Sequence, residues 1–182
     1  MAHLDHDLFG RFAVLARRAD GPVPTWFEDW LQAESNAQSL RMWSPTLIPG
    51  LLQTAEYARA LFLAMQTDTS DDAINELVAA RLERQAVLDQ VNPPEVVALL
   101  DESVLRRLIG SPVVMHDALV HVADLSKRPN MVVQVVPAGN GANAGLGGTF
   151  AIASADDMPE TLLMEHVEDQ TTEKRSLVRK RR

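Results

Sequence analysis

Asn92-Pro93-Pro94 divides the chain into halves of different periodicity. Two consecutive prolines remove two backbone donors and clash with a preceding helical turn, so no helix runs through them. Before this break, from Asp72 to Asp89, the apolar residues Ile74, Leu77, Val78, Leu82 and Leu88 recur close to every 3.6 positions and predict a helix. Asp71 and Asp72 stand at its start, where negative charge complements the helix dipole. After the break, Glu95 to Leu100 (EVVALL) is a nearly uninterrupted β-rich run, the pattern of a strand buried on both faces. A chain so divided has to bury helices against strands.

Other signals extend both halves. Phe9, Phe12, Val14 and Leu15 form a short mixed stretch that stops at Asp20-Gly21-Pro22. Thr25, with Glu28 at capping-box spacing, starts a helix carrying Trp26, Phe27, Trp30, Leu31 and Glu34; Trp26 and Trp30 share a face. Leu40 to Trp43 is long enough for a short strand before Pro45, Pro49 and Gly50 interrupt it. Thr54 caps the next helix, with Tyr57, Ala58, Leu61, Phe62 and Met65 inside. Past the proline break, Ser103 is placed to cap a helical turn through Leu108. Gly110-Ser111-Pro112 opens a helix to Lys127 that buries Met115, Leu119, Val122 and Ala123. Met131 to Val136, Thr149 to Ser154 and Thr161 to Val167 read as strands, the first two joined by the glycine-rich PAGNGANAGLGG. The expectation is an α+β fold: a helical N-terminal half packed on a small mixed sheet of about four strands, in one compact domain. It spans residues 24–169, after an extension at 1–23 and before a basic tail at 170–182 predicted to be disordered.

Composition removes several function classes. With no cysteine, the chain has no thiol nucleophile, zinc finger, iron–sulfur site or disulfide framework. No apolar run approaches the ~18 residues that span a bilayer, and the first residues lack a signal-peptide layout, so the expected compartment is the cytoplasm. The net charge is −8, yet Lys174 to Arg182 holds six of the 17 basic residues; residues 1–173 keep 11 basic against 25 acidic side chains, a net −14. Such a body repels phosphate, which leaves the tail as the one segment suited to nucleic acid.

Candidate chemistry is thin. Gly139 to Ala144 fits a loose dinucleotide fingerprint, but Gly145, Gly147 and Gly148 oppose the helix that motif requires; a hairpin or a lid over a pocket is the better expectation, with no cofactor. His116 and His121 are five apart and do not share a helix face as metal ligands would, so no metal is expected. His166, with Glu168 on the same strand face, could move a proton, as could Tyr57. Asp101-Glu102 beside Arg106-Arg107 reads either as a ligand-lining strand end or as a capped turn with surface ion pairs. Arg81, Arg84 and Gln85 interrupt an apolar stripe, so at least one points inward and needs a partner, for which Glu102 is a candidate. Five of nine aromatics lie between residues 26 and 57. They form core, or else a pocket wall of Trp26, Trp30, Trp43 and Tyr57 with Arg41 and Gln53 giving directional contacts. A cavity of at least ~300 Å³ with one or two polar groups would favour a small molecule. A solid core with an exposed apolar patch would favour a protein partner.

Four phrases carry a resemblance: SLRMWSPTLIPGLLQTAEYARAL (Ser39 to Leu61), LVAARLERQAVL (Leu77 to Leu88), LLDESVLRR (Leu99 to Arg107) and MVVQVVPAGNGANAGLGGTFAI (Met131 to Ile152). Together the chain resembles, from Pro24 to Glu168, the C-terminal domain of unknown function 5753 of actinobacterial XRE-type, antitoxin-like helix-turn-helix regulators. The resemblance implies a regulatory or small-molecule-sensing domain, here expected without its own DNA-binding unit because only about 20 residues precede the match. Its partner would be a small molecule or a small protein; a homo-oligomer is compatible, a membrane is not. The alternative is a cofactor-free cyclase or isomerase of natural-product biosynthesis that uses a regulator-derived pocket. Its catalytic groups would be drawn from Glu102, His166, Tyr57 and Arg84, by confinement and a positioned proton.

Overall fold

A computed structural model describes residues 25–65, 70–156 and 158–165. Its N-terminal half gives α1 (Thr25–Ser35), β1 (Ser39–Ser44), α2 (Ala55–Met65) and α3 (Asp71–Arg84). Past the proline break come β2 (Glu95–Asp101), α4 (Glu102–Arg106), α5 (Pro112–Leu125), β3 (Met131–Val136), β4 (Thr149–Ala155) and β5 (Met158–Glu165). The fold is α+β, with five strands rather than about four, because Leu40 to Trp43 does enter the sheet as β1. The stretch around Phe9 to Leu15, His166 and the basic tail lie outside the described residues.

The sheet runs β3-β2-β1-β4-β5. Strands β1, β2 and β3 are parallel, whereas β4 is antiparallel to β1 and β5 antiparallel to β4. Parallel neighbours need crossover connections, and the chain supplies them as α2–α3 and α4–α5. Alternate strand residues enter one core: Leu40 and Met42 on β1, Val96, Ala98 and Leu100 on β2, and Met131 on β3. They meet Trp30 and Ala33 of α1, Tyr57 of α2, and Met115, Ala118, Val122 and Leu125 of α5.

The helix starts follow their capping signals. Ser70 and Ser111 accept hydrogen bonds from the Ala73 and Val114 amides, both at 3.3 Å, and Thr54 from that of Tyr57 at 3.2 Å. The turn after β2 is capped by Asp101, which accepts from the Ser103 amide at 2.8 Å, and not by Ser103. The Ser103 hydroxyl instead donates to the Pro45 carbonyl at 2.9 Å and ties the ends of β1 and β2 together. The helix expected to reach Asp89 tightens at Gln85–Asp89 into a 3₁₀ turn. Three residues per turn shift the buried face, so Val87 and Leu88 both become core.

The glycine-rich connection is not a hairpin. Strands β2 and β1 lie between β3 and β4, so residues 137–148 pass across the C-terminal ends of the parallel strands. The passage is built from two 3₁₀ turns, Ala138–Asn140 and Ala144–Gly147. Glu102 accepts from the Ala138 amide at 2.9 Å at its start, and the Trp43 indole N–H donates to the Gly145 carbonyl at 2.6 Å further on. A Cβ at position 145 would fall within 2.7 Å of three indole atoms, so only glycine lets the backbone lie this close to Trp43.

Candidate functional site

A cavity of about 330 Å³ lies between α1, the loop after β1, α3 and the β4–β5 pair. Its wall is mostly apolar, with Trp30, Leu40, Met42, Ile48, Leu61, Phe62 and Leu163 among its lining. Two polar clusters break that wall, both built on the residues that interrupt the α3 stripe.

The first cluster centres on Glu34, buried on α1. Its oxygens accept Arg84 Nε at 2.9 Å and Arg84 Nη2 at 2.8 Å, a forked pair, and the Trp30 indole N–H donates to Oε2 at 3.2 Å. Trp30 and Glu34 are four apart on one helical face, which brings the indole to the carboxylate. The second cluster centres on Gln53, also buried. Arg81 Nη1 donates to its Oε1 at 3.0 Å, and its Nε2 donates to the Ile48 carbonyl at 2.6 Å. The Gln85 amide donates to the carbonyls of Gly50 and Gln53 at 3.0 and 2.8 Å, which fixes the 3₁₀ turn Gly50–Leu52 that carries this edge. The Arg81 guanidinium also lies over the Phe62 ring, 5.0 Å from its centroid.

Six of the residues singled out from sequence line this cavity: Trp30, Arg41, Trp43, Gln53, Arg81 and Arg84. Arg41 is exposed, and Trp43 is buried beneath residue 145. Tyr57 is not part of the lining. It is fully buried, its hydroxyl accepts from the Ile48 amide at 3.2 Å, and burial pushes its pKa up, so at neutral pH it is a protonated phenol that braces the loop. The Trp26 side chain and His166 lie outside the described residues.

Glu102 is elsewhere, and it does not meet Arg81 or Arg84: at fifty positions' separation, Glu34 takes Arg84 instead. Glu102 pairs with Arg106 one turn along, with Nε at 3.1 Å, and this bond and the Ala138 amide hold its carboxyl below the usual range. Asp101 is likewise lowered, chiefly by the bond it accepts from the Ser103 amide. This strand end is the capped turn with an exposed ion pair, Glu102–Arg106, and not a lining of the cavity. Nor do residues 137–148 line the cavity; the glycine-rich segment covers Trp43, not the opening.

The signal that sequence reading passed over was Glu34, a carboxylate one turn from a buried tryptophan. Phe62 and Gly50 belong to the site too: a Cβ at position 50 would lie 2.9 Å from Arg81 Nη1, so glycine is what lets the arginine lie across the turn. Among the described residues, no cluster of histidine and carboxylate side chains could hold a metal ion, and no helix is long and apolar enough to cross a membrane. His116 is exposed against Asp117, with Nδ1 at 3.0 Å. Of the hydroxyl side chains in the lining, that of Ser44 donates to the Leu47 carbonyl at 2.5 Å.

In comparison with known proteins, a family model described as a domain of unknown function, DUF5753, matches residues 27–182. The match takes in residues 170–182, which charge alone sets apart as a tail. No curated protein and no solved structure matches the chain.

Proposed function

The chain belongs to the DUF5753 family, and on that footing we propose that it is a cytoplasmic, small-molecule-sensing regulatory domain whose ligand enters the cavity between α1, α3 and β4–β5. The observation that carries this reading is the cavity itself: about 330 Å³, apolar-walled, with two clusters of polar groups held in fixed directions. That combination of apolar bulk and a few oriented polar contacts is what small-molecule sites provide. A regulator of the kind the sequence resembles would act through an operator or a small partner protein, and ligand occupancy of this domain is the signal such a device would need.

The cyclase or isomerase reading draws less support. Of its four candidate groups, Arg84 lines the cavity, and it is engaged with Glu34. Tyr57 and Glu102 lie outside the lining.

The test is thermal unfolding of the purified chain against a panel of small apolar metabolites. A ligand at a hundredfold its Kd stabilises the native state by about 2.7 kcal/mol, a rise in Tm of roughly 5–10 °C for a domain of this size. Ala151→Phe, which fills the cavity from β4, should abolish the rise. Stabilisation that survives this substitution would place the ligand elsewhere, and turnover of a panel compound would move the assignment to the enzyme.

A further inference from the structure

The crossovers from β1 to β2 and from β2 to β3 step the same way along the sheet, so right-handed connections put both on one side. The core takes Leu40, Met42, Val96, Ala98 and Leu100 from that side. Among the described residues, Val97, Leu99, Val132, Ile152 and Leu162, which alternate with core residues, do not enter the cluster and make up the opposite face. They are in register. Val132 pairs with Val97, Val97 with Arg41, Arg41 with Ile152 and Ile152 with Leu162, one row across all five strands. Val132 is 47% exposed, and Val97, Ile152 and Leu162 are half-buried. At about 4.8 Å per strand the row is roughly 19 Å long. Parallel strands are ordinarily covered on both faces, and an open apolar face of this breadth marks an interaction surface.

We propose that a second copy of this chain covers this face, in a twofold dimer of packed sheets. Charge selects that occupant. Arg41 stands exposed in the middle of the apolar row, and Glu95 stands exposed on the same face, in the next row and on the neighbouring strand. Among the described residues, neither side chain has an ion-pair or hydrogen-bond partner. A partner of one sign would answer one of them and repel the other, whereas a surface that meets its own copy brings both signs. In an isologous interface each such contact is made twice. Residue 145 covers Trp43 at one end, which leaves the Arg41 and Glu95 rows as the open part. A twofold axis across the strands between these rows sets each Arg41 against the row that holds Glu95 of the other copy. The apolar row supplies the affinity, and the two cross pairs fix the register. β1 separates this face from the cavity, which Arg41 also borders, and the dimer needs no ligand there.

Sedimentation velocity on the full chain, from about 2 to 200 μM, reads the association. The unaltered protein should pass from monomer to dimer within that range. Ile152→Glu, in the apolar row, should stay monomeric throughout, while Val113→Glu, at an exposed apolar residue of α5, should dimerise like the unaltered chain. Arg41→Glu and Glu95→Arg should each weaken the dimer by at least about tenfold, and the two combined should restore it to within about threefold. A monomer at every concentration of the unaltered protein overturns the proposal. So does a dimer that Ile152→Glu leaves intact, or a charge-swapped protein as weak as the single variants. Should Ile152→Glu fail to fold, the charge variants and their combination, all at exposed positions, decide alone.

Discussion

Glu34 and Glu102 each hold an arginine, yet the two pairs do different work because water reaches them differently. The Glu34 side chain is 6% exposed and that of Arg84 is 24% exposed; the bond joins α1 to α3 across the cavity wall. Arg106 is 76% exposed and sits one turn from Glu102 on the same short helix. An exposed pair gains little because water solvates both partners when they separate. A pair taken out of water is costly to break, because the partner left behind keeps a charge that nothing solvates. One pair therefore shapes an interior and the other finishes a surface turn.

The largest expected effect comes from breaking the interior pair. Glu34→Leu removes the forked acceptor of Arg84 and the acceptor of the Trp30 N–H, and urea unfolding should show a loss of about 3 kcal/mol, with Tm lower by roughly 6–12 °C. Adding Arg84→Leu should cost less than the two single substitutions added together, since Glu34 and Arg84 bond each other directly. If Glu34→Leu unfolds at the wild-type midpoint, the two pairs are equivalent and the distinction fails.

Next is the strap across the strand ends. Gly145→Ala drives a methyl group into the Trp43 indole and displaces the carbonyl that the indole N–H meets, a loss of about 2 kcal/mol by overpacking. Gly139→Ala, where a Cβ meets nothing within 4 Å, is the control, and equilibrium unfolding should separate the two variants clearly. Equal stabilities would mean that the close approach at residue 145 carries no strain when filled.

The exposed pair should respond weakly and mostly to pH. Arg106→Ala should leave the neutral-pH unfolding midpoint within experimental scatter. Asp101 and Glu102 both have native pKa values below their ordinary ones, so each stabilises the fold above its unfolded-state pKa and loses that contribution as pH falls through the lower native value. Glu102→Gln should accordingly lie slightly below the wild type in Tm above about pH 5 and converge with it as pH falls through the lower native value. A difference that widens on acidification would contradict the direction of the shift.

The same contrast explains what could be read from sequence. Local signals were legible: Ser111-Pro112 starts a helix, Thr54 caps one, and the proline pair ends the helical half. Arg81, Arg84 and Gln85 stood out because charge interrupts a periodic stripe, and all three do reach inward partners. Their partners were not legible, since Glu34 lies 50 and Gln53 lies 28 positions away, and separation in sequence carries no record of which helix crosses which loop. Glu102 appealed because two arginines follow it closely, and that closeness is what makes its pair local and exposed. The path of residues 137–148 depends on strand order: a glycine-rich link between two strands suggests a hairpin until β2 and β1 are known to lie between them.

Trp43 touches both regions. It lines the cavity, and its indole nitrogen holds the segment that crosses the strand ends. Indole emission shifts in colour and yield with the polarity and mobility of its surroundings, so this residue is a built-in optical gauge at the junction. With Trp26 and Trp30 replaced by phenylalanine, a single chromophore would register filling of the cavity and release of the strap as separate spectral signatures, without any attached dye.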